Sequence, residues 1–358
     1  MVNRNVLWRR EGAQTGGRAL ATVASIVLAL FVAGCSTAPA PAPDSGSAGN
    51  PPAVQSEPAA DTPVPAPDSP ERVTIRLNLS EGESYELSSH VRQTVDQEFL
   101  GQSLTIRQDL TGVTRYTVRA VDGDGVMDLD VTYESFDMSM SLESTDVSKE
   151  QLDQLNQVMN GALQQSARLV NGVTFSMRVS PAGDIVSIQG VEQLMARVLK
   201  SVSGPGDTQQ VRDALQQVLS GDAIRRSWEE SFGYITDGPV AVGDEWTSDT
   251  SVNMGLSMDV HTRFALESVD GDTLVLNVDG SIASSGFDGA ILDQLNAEGV
   301  DFDLSIEGTQ SGTMRVDRET GWLVGQESVI DATADILISA EGQELRLPIT
   351  MHTESTVR

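Results

Sequence analysis

Between Ile330 and Met351 apolar residues occupy every second position. Ile330, Ala332, Ala334, Ile336, Ile338 and Ala340 alternate with polar neighbours, Glu341-Gly342-Gln343 interrupts, and Leu345, Leu347, Ile349 and Met351 alternate back. Successive side chains of an extended chain point to opposite faces, so a run of period two buries one face and wets the other. Wound into an α-helix, the same residues would scatter their apolar groups around the axis. The stretch therefore predicts a long antiparallel hairpin with one covered face. Val73, Ile75, Leu77 and Leu79 predict a half-buried strand beginning near Glu71, and Met127, Leu129, Val131 and Tyr133 predict another. Beyond Tyr133 the alternation resumes in the opposite phase with Phe136, Met138, Met140 and Leu142. A phase flip inside one strand predicts a bulge or sharp bend near Glu134 and Ser135.

Helical spacing appears only between such strands. Ser148 with Gln151 forms a capping box ahead of Leu152, Leu155, Met159 and Leu163. Val191, Leu194, Met195 and Val198 predict a second helix, Val211, Leu215 and Leu219 a third ending at Gly221, and Ile224, Trp228 and Phe232 a fourth. Each has a single apolar stripe, suited to lying across a sheet.

The chain also repeats itself. Gly82-Glu83-Ser84-Tyr85 recurs as Gly243-Asp244-Glu245-Trp246, and Thr114-Arg115-Tyr116 as Thr262-Arg263-Phe264. Val121-Asp122-Gly123-Asp124 recurs as Val269-Asp270-Gly271-Asp272, Leu152 to Asn156 as Leu292 to Asn296, and Met177-Arg178-Val179 as Met314-Arg315-Val316. Matches in one order, with a steadily falling offset, mean a duplicated unit whose second copy has shorter loops. The expected fold is mainly β (α+β): an internally duplicated antiparallel curved sheet or half-barrel with a few amphipathic helices packed on it. The folded region is 71–358, with repeats at about 71–203 and 237–358 and a helical connector over 204–236. Asp122-Gly123 and Asp270-Gly271 read as tight turns in which glycine takes a positive φ. They lack the further oxygen ligands of a calcium loop.

The start of the chain has a different character. Arg4, Arg9, Arg10 and Arg18 precede an apolar run from Ala19 to Val32, followed by Val32-Ala33-Gly34-Cys35, and Cys35 is the only cysteine. The run suits the apolar centre of a signal peptide and is short for a membrane span. Together these residues resemble a bacterial lipoprotein signal, which implies a signal peptide over 1–34, acylation at Cys35, and the membrane as a partner through those acyl chains. Residues 35–70 follow as a lipid-anchored Pro/Ala-rich linker: ten of the chain's fourteen prolines lie there, with too few large apolar residues for a core. Ser36 after the cysteine resembles the signal for the outer membrane facing the periplasm, should the cell have two membranes. Elsewhere Leu77-Asn78-Leu79, Pro239 to Trp246, Gly308 to Asp317 and Thr320-Gly321-Trp322 resemble a family of uncharacterised bacterial lipoproteins, a domain-of-unknown-function family. That resemblance brings no catalytic residues with it.

A net charge of −29 disfavours nucleic acid as a partner, because phosphate backbones are bound by cationic surfaces. A lone cysteine allows neither an internal disulfide nor a thiolate metal site. His90, His261 and His352 are isolated in strand-like sequence with no paired ligand spacing, so no metal site is assigned. Neither a nucleophile elbow nor a phosphate-binding glycine loop occurs, and no cofactor or enzymatic role is expected. The candidate ligand-binding residues are Met138 and Met140 in one copy and Met254 and Met258 in the other, since flexible thioethers make adaptable apolar surfaces. Two readings stand. One is a binding module for a lipid or other hydrophobic small molecule, with the methionines lining its site. The other is a structural protein with a packed core whose acidic exterior meets an envelope protein.

Overall fold

The computed structural model describes residues 71–99, 102–145, 147–193, 196, 221, 224–225, 228, 231–253, 256–287, 300–340 and 343–358. The signal, Cys35 and the linker, Met254, the third helix at Val211–Leu219, the second copy of the Leu152–Asn156 motif and the Glu341-Gly342 turn all lie outside the described residues.

Alternation becomes strand wherever it was long. Eleven strands form one antiparallel sheet that does not close on itself. In chain order they are β2 (Ser84–Phe99), β3 (Gln102–Val121), β4 (Met127–Ser144), β5 (Val173–Val179), β6 (Ile185–Gln189), β8 (Glu245–Asn253), β9 (Leu256–Asp270), β10 (Thr273–Phe287), β11 (Val300–Asp317), β12 (Leu323–Ala340) and β13 (Gln343–Val357). Across the sheet they run β6-β5-β4-β3-β2-β13-β12-β11-β10-β9-β8. Two short strands, β1 (Arg72–Val73) and β7 (Val240–Ala241), pair with each other apart from it. The helix α1 (Lys149–Val170) joins β4 to β5, and the Ser148 hydroxyl accepts a hydrogen bond from the Gln151 N–H at its start.

Both copies are tandem meanders, β2–β6 and β8–β12, and β13 sits between them by pairing with β12 on one side and β2 on the other. Their irregularities match. Arg119 is the extra residue where β3 pairs with β4, and Glu267, its counterpart, where β9 pairs with β10. Val186 in β6 and Val324 in β12 are likewise extra residues at corresponding places. A bulge re-aims a strand at a fixed point, so bulges at equivalent positions give the two copies the same bend. The predicted phase flip in β4 is also a bulge: Val113 faces Ser135 and Thr114 faces Tyr133, leaving Glu134 unpaired. Phe136 to Leu142 thereby return to the face occupied by Met127 to Tyr133.

The strand expected over Val73–Leu79 is ladder-bonded only at Arg72–Val73. The rest is extended chain laid inside the sheet. Ile75, Leu77 and Leu79 are buried, while the Ile75 N–H donates to the Thr236 hydroxyl, Leu77 N–H to the Pro181 carbonyl and Asn78 N–H to the Thr320 carbonyl. Period two requires extended backbone and one covered face; it does not require a neighbouring strand. Around this segment the sheet curls, since Val131, Phe175 and Met177 from one flank share a core with Leu266, Leu274 and Leu276 from the other. Ile224, Trp228 and Phe232, the apolar positions expected of the fourth helix, join that core together with Tyr234; Trp228 stacks on Phe232, and the Tyr234 hydroxyl donates to the Gly321 carbonyl at 3.0 Å. Burial pushes the hydroxyls of Tyr116 and Tyr234 well above the ordinary tyrosine range.

The turns differ in one detail from expectation. Gly271 has the predicted positive φ, but in the first copy Gly125 takes it instead of Gly123. The first loop is longer, and the Asp122 carboxylate organises it by accepting from the N–H groups of Asp124 and Val126. The same carboxylate meets Arg178 at 2.7 Å.

Candidate ligand-binding face

Alternation gives the sheet two chemically distinct faces. Outward positions are mostly Ser, Thr and charged residues. The inward ones are uncharged throughout β2, β3 up to Val118, β4, β9 up to Leu266, and β10 to β13 wherever side chains are described.

Toward the ends of β4 and β12 the inner face carries a second apolar cluster. Its floor is Val95, Ile106, Met140, Leu304, Ile306, Ile336, Leu347 and Ile349. Around the floor lie half-buried Leu104, Leu142, Met258, Ile338, Leu345 and Met351, with Met159 and Leu163 of α1 packed against it. The helix is fixed there by its asparagines. Asn160 accepts from the Met140 N–H at 2.8 Å and donates to the Met140 carbonyl at 2.7 Å, and Asn156 does the same for Leu142 at 2.8 and 3.2 Å. β5 starts opposite Tyr133, so the β4 edge beyond it has no strand partner, and two side-chain amides one helical turn apart substitute for the missing ladder.

The structure thus draws two of the four candidate methionines into one cluster. Met140 is part of the floor and Met258 packs against it from the other copy, although β4 and β9 are far apart in the sheet order. Met138 is half-buried on the inner face, and Met254 is not described.

Between this cluster and the main core a polar rank crosses the inner face. Gln108, Gln93, Thr353, Ile330, Gln310, Gly280 and Thr262 lie directly opposite one another on adjacent strands, from β3 through to β9. Gln93 is 4% exposed and Thr262 2%. Sequence reading missed this rank. Its signal is a polar residue in the apolar phase of β3, β2, β13, β11 and β9, which becomes visible only once the registers align them.

The histidines all face outward, each beside an aspartate of an adjacent strand: His90 with Asp109 at 3.0 Å, His352 with Asp331 at 2.7 Å, and His261 with Asp249. They sit on separate strand pairs. Among the described residues no group of three metal-ligating side chains occurs, and no helix is long and apolar enough to cross a membrane. An open cleft of about 800 Å³ on the outer face is lined by Thr94, Asp96, Glu307, Asp331, Thr333 and His352.

Fold and faces together define a class: an open, internally duplicated antiparallel half-barrel whose described inward strand positions are uncharged and whose exterior is acidic. The chain belongs to a family of unknown function, DUF6263, whose model matches residues 124–323. No curated protein matches the chain in sequence. Among solved structures it is similar to a chain described under lipid–protein interactions in lipovitellin, with 7% identity and a TM-score of 0.39, covering 78% of this chain and 25% of that one. The chain therefore spans about a quarter of that protein's length. It is also similar to the translocator domain of the autotransporter NalP from Neisseria meningitidis, with 6% identity and a TM-score of 0.19, covering 78% of this chain and 88% of that one. OpdQ from Pseudomonas aeruginosa is similar at 8% identity and a TM-score of 0.19, covering 77% of this chain and 99% of that one. At such scores the likeness extends no further than large antiparallel sheets.

Proposed function

We propose that this protein is a non-catalytic envelope lipoprotein, anchored through Cys35 and held off the membrane by residues 35–70, that binds a lipid or other hydrophobic molecule on its inner face. The observation that carries the reading is the second apolar cluster. A floor with Val95 at 0% and Ile336 at 1% exposure is surrounded by half-buried Leu104, Leu142, Met258, Ile338, Leu345 and Met351 from both copies. Apolar side chains of that number, left partly wet beside a dry floor, gain about 25 cal/mol for each Å² a guest removes from water.

Native mass spectrometry of the protein purified from its host tests the binding half. The expected result is a set of reproducible adducts of lipid mass that weaken on Met258→Asp, and an adduct-free spectrum of the folded parent refutes the reading. Detergent phase partition tests the anchor. Cys35→Ser moves the protein out of the detergent phase, and a variant that stays there removes the lipid attachment from the proposal.

A further inference from the structure

The polar rank contains hydrogen-bonding atoms that the protein does not satisfy. Gln93 donates through Nε2 to the Thr353 hydroxyl at 3.1 Å and to the Met351 sulfur at 3.0 Å, which leaves its Oε1 buried without a partner. On the adjoining strand Gln108 stands directly opposite Gln93, and its Nε2 is also buried and unpaired. Such orphans are rare in folded proteins, because each forfeits its bond to water and receives nothing in return. Here an acceptor and a donor are orphaned side by side on strands β2 and β3. Met140 lies opposite Gln108 on β4, and Val95 and Ile106 form the next inward pair on the same two strands. A polar pair therefore adjoins the apolar floor, on a face whose described positions carry no charge.

We propose that Gln93 and Gln108 form the head-group subsite of this face, receiving the hydroxyl or amide of an uncharged amphiphile whose chain lies against half-buried Leu104 and Leu142, beside the floor of Met140, Val95 and Ile106. The inference rests on the reading of the inner face as a site for apolar molecules, and it names the chemical class. A hydroxyl donates to Gln93 Oε1 and accepts from Gln108 Nε2 at once. A pure hydrocarbon leaves both orphaned. A carboxylate can satisfy only the donor, sets its charge against Gln93 Oε1, and finds no cation among the described residues of the inner face. Neutral single-chain amphiphiles, such as monoacylglycerols or fatty alcohols, carry the required group.

The test measures equilibrium binding of radiolabelled 1-monooleoylglycerol, oleate and hexadecane to the purified full chain, the parent beside Gln93→Leu and Gln108→Met. Monooleoylglycerol is expected to bind about tenfold or more tightly than oleate at neutral pH, and either substitution to weaken it by about ten- to hundredfold while hexadecane is unaffected. Gln108→Met leaves the thermal midpoint at or above that of the parent, whereas Gln93→Leu also gives up the bonds to Thr353 and Met351 and lowers it. If hexadecane and monooleoylglycerol bind equally, or neither substitution alters monooleoylglycerol binding, the head-group assignment fails and the apolar site survives. Binding of none of the three removes the underlying reading as well. Loss of folding in both variants overturns the assignment, because it makes the amides structural.

Discussion

Replacing Asn160 by leucine isolates the device that seals the edge of β4. The Asn160 side chain makes three hydrogen bonds: from the Met140 N–H at 2.8 Å, to the Met140 carbonyl at 2.7 Å and to the Asn156 carbonyl at 2.8 Å. All three are partly buried, and leucine has nearly the same size and a higher helix propensity. The loss is therefore the bonds themselves. At about 1 kcal/mol net for each, with the orphaned Met140 groups regaining some water at this edge, the expected destabilisation is about 2–3 kcal/mol. Urea unfolding followed by circular dichroism reads the total, and amide hydrogen exchange reads the place: the Met140 and Leu142 N–H groups should lose protection while those of β12 keep theirs. Asn156→Leu removes two such bonds, to the Leu142 N–H and carbonyl, and should cost about 1–2 kcal/mol. A loss below about 0.5 kcal/mol, or a Met140 amide that stays protected, refutes the idea that the asparagines act as a surrogate strand.

Two further perturbations probe other parts of the fold. Gly321 has φ +65°, and a Cβ there would stand 2.0 Å from the Arg76 carbonyl oxygen, so Gly321→Ala should cost on the order of 3–5 kcal/mol by thermal unfolding as it drives the 73–79 segment off the core. A hydrogen bond to Asp331, reinforced by its charge and that of Glu354, raises the His352 pKa above 6.5. A raised folded-state pKa stabilises the protein below the unfolded value, and that contribution is lost as pH rises through the folded one. His352→Gln should therefore cost more stability near about pH 5 than near about pH 8.5, and an equal cost at both refutes the pairing.

Much of this architecture was legible because period two is a local property. The phase flip after Tyr133 placed the Glu134 bulge, the ordered matches placed the duplication, and Ser148 marked the start of α1. Less legible were features that depend on which strands become neighbours. Ile75 to Leu79 alternate as a strand does, yet their partners are Thr236 and two turns, because burial alone sets the pattern. The polar rank went unseen for the same reason: Gln93, Gln108, Gln310 and Thr262 are scattered polar residues in four separate runs until the registers align them. Met138, Met140 and Met258 lie on the inner face, but their spacing did not show that Met140 would be floor while Met258 packs against it.

The position of β13 has a kinetic consequence. It joins the two meanders, and the bond between Gln93 and Thr353 spans 260 residues of chain. Each meander can form from local hairpins, but β2 and β12 remain bare edges until β13 arrives to occupy the gap. Closing so large a loop is slow, and bare edges are what other chains pair with. The interval between synthesis of β2 and docking of β13 is thus when this protein is most exposed to misassembly and most in need of a holding chaperone. A chain cut short before β13 leaves two half-sheets with a permanently adhesive seam.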